Sequence, residues 1–385
     1  MIENAFRGSG KYWALVGFWA LVIAAGLAAY GVQLREGLTV TGMSRDVSWG
    51  LYISQFTFLV GVAASAVMVV LPYYLHDHRV FGRTVILGEF LAVSAVLMCM
   101  LFVFVDMGQP ARVVNVLLYP TLNSVMFWDM MVLSGYLLIN LVIGFVSLES
   151  ERRGVPPPRW ARPVIYLSIP WAVSIHTVTA FLYSGLEARP FWMTAILAPR
   201  FLASAFASGP SLLIILIMIV RRFSRFDPGR EAIRTLGVIV TYAMCTNVFF
   251  VLVELFTTLY SGIPHHLHHF EYLFVGLEGR GALAPWMWVS QGLAAAAVAL
   301  LLFPGVRRRE NVLAAVCAAV IAAIWIEKGM GLVITGFIPS TLGRITEYAP
   351  TLPEVMVTLG VYGVGFLALT VLYKMVIGVR ERAAA

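Results

Sequence analysis

The chain has 385 residues, of which 60% are apolar and only 12% charged, with a mean hydropathy of +0.86. Soluble domains carry roughly 25% charged residues, so no large soluble domain is expected, and the net charge of +7 does not point to nucleic acid. Cys99, Cys245 and Cys317 stand singly inside apolar runs without C-x-x-C spacing, so they offer no iron–sulfur framework and read as buried small side chains.

A membrane-crossing helix needs about 20 mostly apolar residues, and such runs recur along the whole sequence. Ten spans are predicted, at 12–34, 48–75, 84–106, 123–148, 163–185, 198–220, 232–260, 283–303, 312–334 and 353–377. The first contains small residues, Ala24 to Ala29, that imitate a signal-peptide cleavage region. Its apolar run is longer than the roughly 7–15 residues of a signal core, which favours a retained membrane anchor.

In the second span Ser48, Tyr52 and Gln55 share one helical face. The third closes with Phe104-Val105-Asp106-Met107-Gly108-Gln109-Pro110-Ala111-Arg112, which sets a carboxylate where the apolar run would leave the membrane. Pro110 stops the helix by disfavouring helical geometry in the residue before it, and Arg112 supplies a nearby cation that would bias Asp106 towards its ionised form. Trp128 and Asp129 open the fourth span. In the fifth, His176, Thr179 and Tyr183 stand at i, i+3 and i+7, so an imidazole, a hydroxyl and a phenol share a face.

A faint repeat links Phe58-Leu59-Val60-Gly61-Val62-Ala63-Ala64-Ser65-Ala66 to Phe201-Leu202-Ala203-Ser204-Ala205-Phe206-Ala207-Ser208-Gly209. Both segments run the same way, so the repeat is parallel, and their small residues permit close helix approach. The predicted fold is an all-α integral membrane protein with ten transmembrane helices, in which two four-helix bundles related by this repeat are flanked by two peripheral helices. Its divisions are 1–47, 48–185 (with the polar cluster), 186–334 and 335–385.

Nineteen lysines and arginines fall in the tails and the connections after the even-numbered spans or just inside the adjoining span ends. Seven fall in the opposite loops (Arg35, Arg45, Arg112, Arg189, Arg200, Arg280 and Arg344), and Lys328 lies within a span. The positive-inside bias then makes both termini cytoplasmic and puts Asp106, His265 and Tyr348 on the outer side.

Ionisable groups within spans cost roughly 2.5–3.5 kcal/mol each at mid-helix and tend to be functional. They are Glu89, Asp106, Asp129, His176, Glu254, Glu327 and Lys328. Gln55, Asp106, Asp129 and the pair His176 and Tyr183 come from four consecutive spans at similar outer depth. A quinone head group suits such a set, because its two carbonyls need hydrogen-bond partners and its reduction takes up two protons with two electrons. The plainer alternative is a solvated helix end at Asp106, interfacial rings at Trp128 and Tyr183, and a satisfied core histidine at 176. Haem is disfavoured, since His176 is the single histidine inside a span. The wet run His265-His266-Leu267-His268-His269 reads as polar rather than as a metal site.

Trp49-Gly50-Leu51-Tyr52-Ile53, Asp106-Met107-Gly108-Gln109-Pro110-Ala111-Arg112, Tyr183-Ser184-Gly185, Arg189-Pro190-Phe191-Trp192 and Phe201-Leu202-Ala203-Ser204-Ala205 together resemble the NrfD/PsrC-type quinone-interacting membrane subunits. Ile324-Trp325-Ile326-Glu327-Lys328-Gly329, Gly336-Phe337-Ile338-Pro339 and Glu347-Tyr348-Ala349-Pro350-Thr351 look like its ten-helix branch, which includes the P subunit of the Dsr complex and the Hmc membrane subunit of sulfur metabolism.

The resemblance implies a quinone oxidoreductase subunit of the bacterial cytoplasmic membrane that holds neither haem nor iron–sulfur cluster. It would exchange electrons between menaquinone, as bound substrate, and a periplasmic ferredoxin-like iron–sulfur subunit, with further cytochrome and membrane subunits in the complex. Asp106 and Tyr183 would line the quinone pocket, and His176 would join them in catalysis. Trp49, Tyr52, Gln55, Arg112, Trp128 and Asp129 would complete the pocket. Gln55 and Ser54 stand where some relatives have histidine and asparagine. Glu89, Glu254, Glu327 and Lys328 would form a proton route. The rival expectation is a secondary transporter or proton channel built on those same carboxylates.

Overall fold

The computed structural model describes residues 2–224 and 226–383. Among them ten helices are long and apolar enough to cross a membrane, and none of these residues forms a strand. They are α1 (Gly10–Glu36), α2 (Leu51–Leu75), α3 (Val85–Asp106), α4 (Val125–Arg153), α5 (Ala161–Ser184), α6 (Leu197–Phe223), α7 (Arg230–Ser261), α8 (Ala284–Leu302), α9 (Glu310–Thr335) and α10 (Leu352–Ala383). A membrane satisfies no exposed backbone group, so helices that close their own hydrogen bonds are the economical solution.

The helices α2–α5 pack in one ring and α6–α9 in another, while α1 and α10 pair and lean on α3. The two rings meet along α2, α5, α6 and α9. Helix α2 is buried on every side of its first segment, Leu51–Ala63, as befits a helix that is apolar all round.

Small residues set the closest crossings. A methyl group at Gly26 would stand 2.5 Å from Gly360 Cα, so α1 and α10 touch backbone to backbone. Gly26→Leu is expected to separate that pair and to cost about 1–3 kcal/mol, the usual range for overpacking. Thermal unfolding of the solubilised protein reads the loss, and an unchanged midpoint would remove α1–α10 packing from the account.

Two helices are interrupted. In α2 the helix breaks at Ala64–Ala66 before resuming at Val67, where Ser65 is wedged between Gly88 and Gly209; methyl groups on those glycines would lie 3.2 Å from Ser65 O and 2.8 Å from Ser65 N. In α9 the segment Trp325–Gly331 widens into a π-helix, a form often found at functional sites. It buries both Glu327 and Lys328.

The two ends of the molecule differ. One carries the end of α3 at Asp106, the start of α2 and the strap 336–351 between α9 and α10. The other is cross-tied by arginines: Arg380 Nε donates to Glu151 (2.7 Å) and Arg221 Nη1 to Glu310 (2.9 Å).

Candidate functional site

Near the Asp106 end, a cavity of about 250 Å³ lies between α2, α3, α4 and the end of α5. Trp49 enters from just before α2, helical periodicity presents Ile53 and Phe56 from the head of α2, and Met100, Val103 and Asp106 come from the last turns of α3. From α4 come Asp129, Met126, Met130, Leu133 and Ser134. Helix α3 stops at Asp106 because Met107 is extended (φ −73°, ψ 125°) and Pro110 follows, and Val113 and Val116 of the next loop close the rim.

The cavity is apolar apart from its two carboxylates and the Ser134 hydroxyl. Asp129 Oδ1 accepts from Thr179 Oγ1 at 2.6 Å, which fixes one oxygen. Asp106 Oδ1 is buried and has no hydrogen-bond partner among the described residues. A buried polar atom without a partner is costly and marks where a ligand or a proton has something to gain.

Behind Trp49 stands an aromatic box. Its indole stacks on Trp192 (5.7 Å, 25°) and meets Tyr183 and Phe337 edge-on at 5.5 and 5.6 Å. The Tyr183 hydroxyl shares a short hydrogen bond with Thr57 Oγ1. Trp192 Nε1 donates to Leu332 O (2.9 Å), and Gly336 is required beneath it, since a methyl group there would lie 2.0 Å from the indole. The strap locks the head of α2: Leu51 N donates to Tyr348 OH (2.7 Å) and to Glu354 Oε1 (3.2 Å), and Gly42 N donates to Glu354 Oε2 (3.0 Å).

Of the residues expected at the pocket, Trp49, Asp106 and Asp129 line the cavity; Tyr52, Gln55, Arg112, Trp128, His176 and Tyr183 do not. The reason for α2 is its register. Ile53 and Phe56 take the cavity face, so Tyr52 and Gln55 point elsewhere. Tyr52 OH donates to Gln33 Oε1 on α1 (2.7 Å). Gln55 Oε1 accepts from Trp325 Nε1 and Tyr362 OH, both at 2.7 Å. Trp128 is 47% exposed and its Nε1 donates to Leu122 O. Arg112 is exposed and stands outside the ion pairs of the described residues, so the cation expected beside Asp106 is not joined to it. Tyr183 supports Trp49 from behind, and His176 sits deeper, with Nδ1 2.7 Å from Ala172 O.

A second polar cluster lies in the other ring. Arg200, expected among the loop arginines, is instead buried in α6 and forms ion pairs with both Glu254 of α7 and Glu327 of α9. Asn247 Nδ2 stands 3.4 Å from Glu327 Oε2. Lys328 Nζ lies 4.2 Å over the Phe201 ring. Glu89, in the first ring, is buried apart from both clusters, and its Oε2 has no hydrogen-bond partner among the described residues. The signal for Arg200 was present, since it is the fourth residue of its helix. Glu354 was missed altogether, although it is completely buried two residues into α10.

The histidine run forms a short helix, Pro264–Phe274, and among the described residues no group of three potential metal ligands occurs. His269 is buried and its Nδ1 donates to Thr335 O (2.9 Å) and Ile338 O (2.7 Å). Burial lowers its pKa from 6.5 to about 4, against the pull of those two carbonyls. The unfolded chain then binds the extra proton first, so this residue's share of stability is full above pH 6.5 and is lost as pH falls towards 4. The gap in melting temperature between wild type and His269→Gln is expected to narrow from about pH 7 to about pH 5; a constant gap would contradict a neutral His269.

The sequence profile described as "Polysulphide reductase, NrfD" matches residues 39–339. The chain belongs to the NrfD family. It is 28% identical to a putative dimethyl sulfoxide reductase membrane subunit of Halobacterium salinarum, over 95% of this chain and 91% of that one. It is 25% identical to the Hdr-like menaquinol oxidoreductase integral membrane subunit of Archaeoglobus fulgidus, over 97% and 95%. A selenate reductase subunit of Mesobacillus selenatarsenatis is 22% identical over 69% of each chain. The NrfD match spans both rings, and so covers the cavity and the Arg200 cluster alike.

Proposed function

We propose that this NrfD-family chain is the quinone-interacting membrane subunit of a respiratory complex, exchanging electrons between menaquinone or menaquinol and an iron–sulfur partner docked over the Asp106 end. The observation that carries the reading is the cavity itself, an apolar slot with an indole wall and two carboxylates from different helices. A dry apolar cavity of roughly 150 Å³ admits benzene, so about 250 Å³ suits a fused bicyclic head group.

The chemistry follows from the residues. A protonated carboxyl donates to a quinone carbonyl, and an ionised one accepts from a quinol hydroxyl. Asp106, at a helix end beneath a short loop, exchanges protons with water on its own side. Asp129, held by Thr179, orients the ring from across the slot. Trp49, braced by Tyr183 and Trp192, packs the ring face, and the adaptable side chains of Met100, Met126 and Met130 follow its edge.

Several observations support the finer points. The name of the Archaeoglobus relative includes menaquinol, and the family's description and the dimethyl sulfoxide reductase name favour a sulfur compound as the terminal substrate. The positive-inside bias would set the arginine-rich end in the cytoplasm of a bacterial cell and the Asp106 end, with its iron–sulfur partner, in the periplasm. Further cytochrome and membrane subunits would complete the assembly.

A second reading draws on the interrupted helices α2 and α9 and on the buried Arg200, Glu254, Glu327, Lys328 and Glu89. Such breaks also mark secondary transporters, and within a quinone-linked complex they would serve proton translocation. Gentle purification from native membranes separates the readings. Co-elution with iron–sulfur subunits and extractable menaquinone is expected. A chain that elutes alone and moves solute into liposomes would overturn the quinone assignment in favour of a transporter.

A further inference from the structure

Where the two rings meet, three polar side chains converge on one residue that has none. A methyl group built on Gly61 of α2 would stand 3.3 Å from Ser208 Oγ of α6 and 3.4 Å from Lys328 Nζ of α9. His176 of α5 lies against the Gly61 backbone. All three side chains are buried.

Their hydrogen-bonding capacity is unfilled. His176 Nδ1 is 2.7 Å from a carbonyl, so it carries the hydrogen and Nε2 is left as an acceptor. That Nε2 is buried and has no hydrogen bond of good geometry among the described residues. Lys328 has three N–H donors. One reaches towards Phe201 O at 3.5 Å, the ammonium rests over the Phe201 ring, and no carboxylate of the described residues comes within ion-pair distance. Ser208 Oγ donates to Ser204 O at 2.9 Å and keeps its lone pairs free to accept.

We propose that the recess at Gly61 is a binding site for an ordered water molecule that joins Lys328 Nζ to His176 Nε2, with Ser208 Oγ as a further partner. Buried waters characteristically satisfy two to four otherwise unpartnered polar groups. This one accepts a hydrogen from the ammonium and donates one to the imidazole. A proton can then cross between the rings: Lys328 gives a proton to the water, and the water gives another to Nε2. Lys328 ends neutral and His176 cationic, with the water restored and no electron moved. The link connects the cavity's own helix α5, on which Thr179 holds Asp129, to the Arg200–Glu254–Glu327 cluster. Its role in coupling rests on the proton-translocating reading given above, whereas the site itself does not.

The test uses the intact complex and three forms of the chain: wild type, Gly61→Ala, whose methyl group would occupy the recess, and Gly61→Ser, whose hydroxyl can stand in for the water. In a cryo-EM map that resolves ordered solvent, wild type is expected to show density within hydrogen-bond distance of both Nζ and Nε2, and Gly61→Ala to lack it. A wild-type map without that density overturns the site, whether or not the complex moves protons. In proteoliposomes, Gly61→Ala is expected to lose quinol-driven acidification while uncoupled turnover stays at the wild-type level, and Gly61→Ser to recover it. Full acidification by Gly61→Ala would overturn the link. Wild-type proteoliposomes that turn over without moving protons would instead remove the translocation reading and leave the site to the map.

Discussion

Asp106→Asn in the assembled complex is expected to lower quinone-linked turnover by about 10²-fold, within the range of roughly 10²–10⁴ contributed by a positioned proton-transfer group. Asparagine keeps the volume of the side chain and can still hydrogen-bond, but it cannot hold or release a proton at the quinone oxygen. The loss should therefore fall on kcat, with KM little changed, because uniform binding is preserved. Asp106 Oδ1 is the unpartnered buried atom of the cavity, so among the described residues no hydrogen bond to it is broken by the change. Asp129→Asn differs, since it disturbs the bond from Thr179 and should move KM as well. Wild-type turnover by Asp106→Asn would sink the role given to this residue.

The second large effect is on stability. Arg200→Met should destabilise the protein by about 3–5 kcal/mol, the usual result of removing one partner from a buried ion pair. Glu254 and Glu327 would be left facing each other without the guanidinium that binds both. The loss should be read by thermal inactivation in detergent. Adding Glu254→Gln and Glu327→Gln to Arg200→Met should restore most of it, because well-packed neutral groups often replace a buried ion cluster without cost. A single variant as stable as wild type would mean that water or lipid already shares those charges.

Much of the fold was legible because a membrane leaves few options. The ten apolar runs predicted ten helices, and each helix overlaps its predicted span. The site was legible only in part. Asp106 stood out because a carboxylate ending an apolar run violates composition, and Asp129 and Trp49 because they flank span ends; all three line the cavity. The face of α2 was misjudged. That helix is buried all round, so polarity alone does not say which side faces a cavity, and Tyr52 and Gln55 turn to α1, α9 and α10 instead. Arg200 was counted with the loop arginines although the predicted span 198–220 already contains it. Its two carboxylates come from helices 54 and 127 residues further along the chain, a pairing that no local pattern announces. The convergence of polar side chains on Gly61 was invisible for a related reason: a glycine in a small-residue stripe reads as close packing until its neighbours are known.

The central claim is that the cavity between Asp106, Asp129 and Trp49 receives the quinone head group. A cryo-EM structure of the purified complex with menaquinone or a tight-binding quinone-site inhibitor tests it most directly. The expected result is ring density against Trp49 with one oxygen within hydrogen-bond distance of Asp106 or Asp129. Ring density elsewhere in the complex, with this cavity filled by lipid, would contradict the claim.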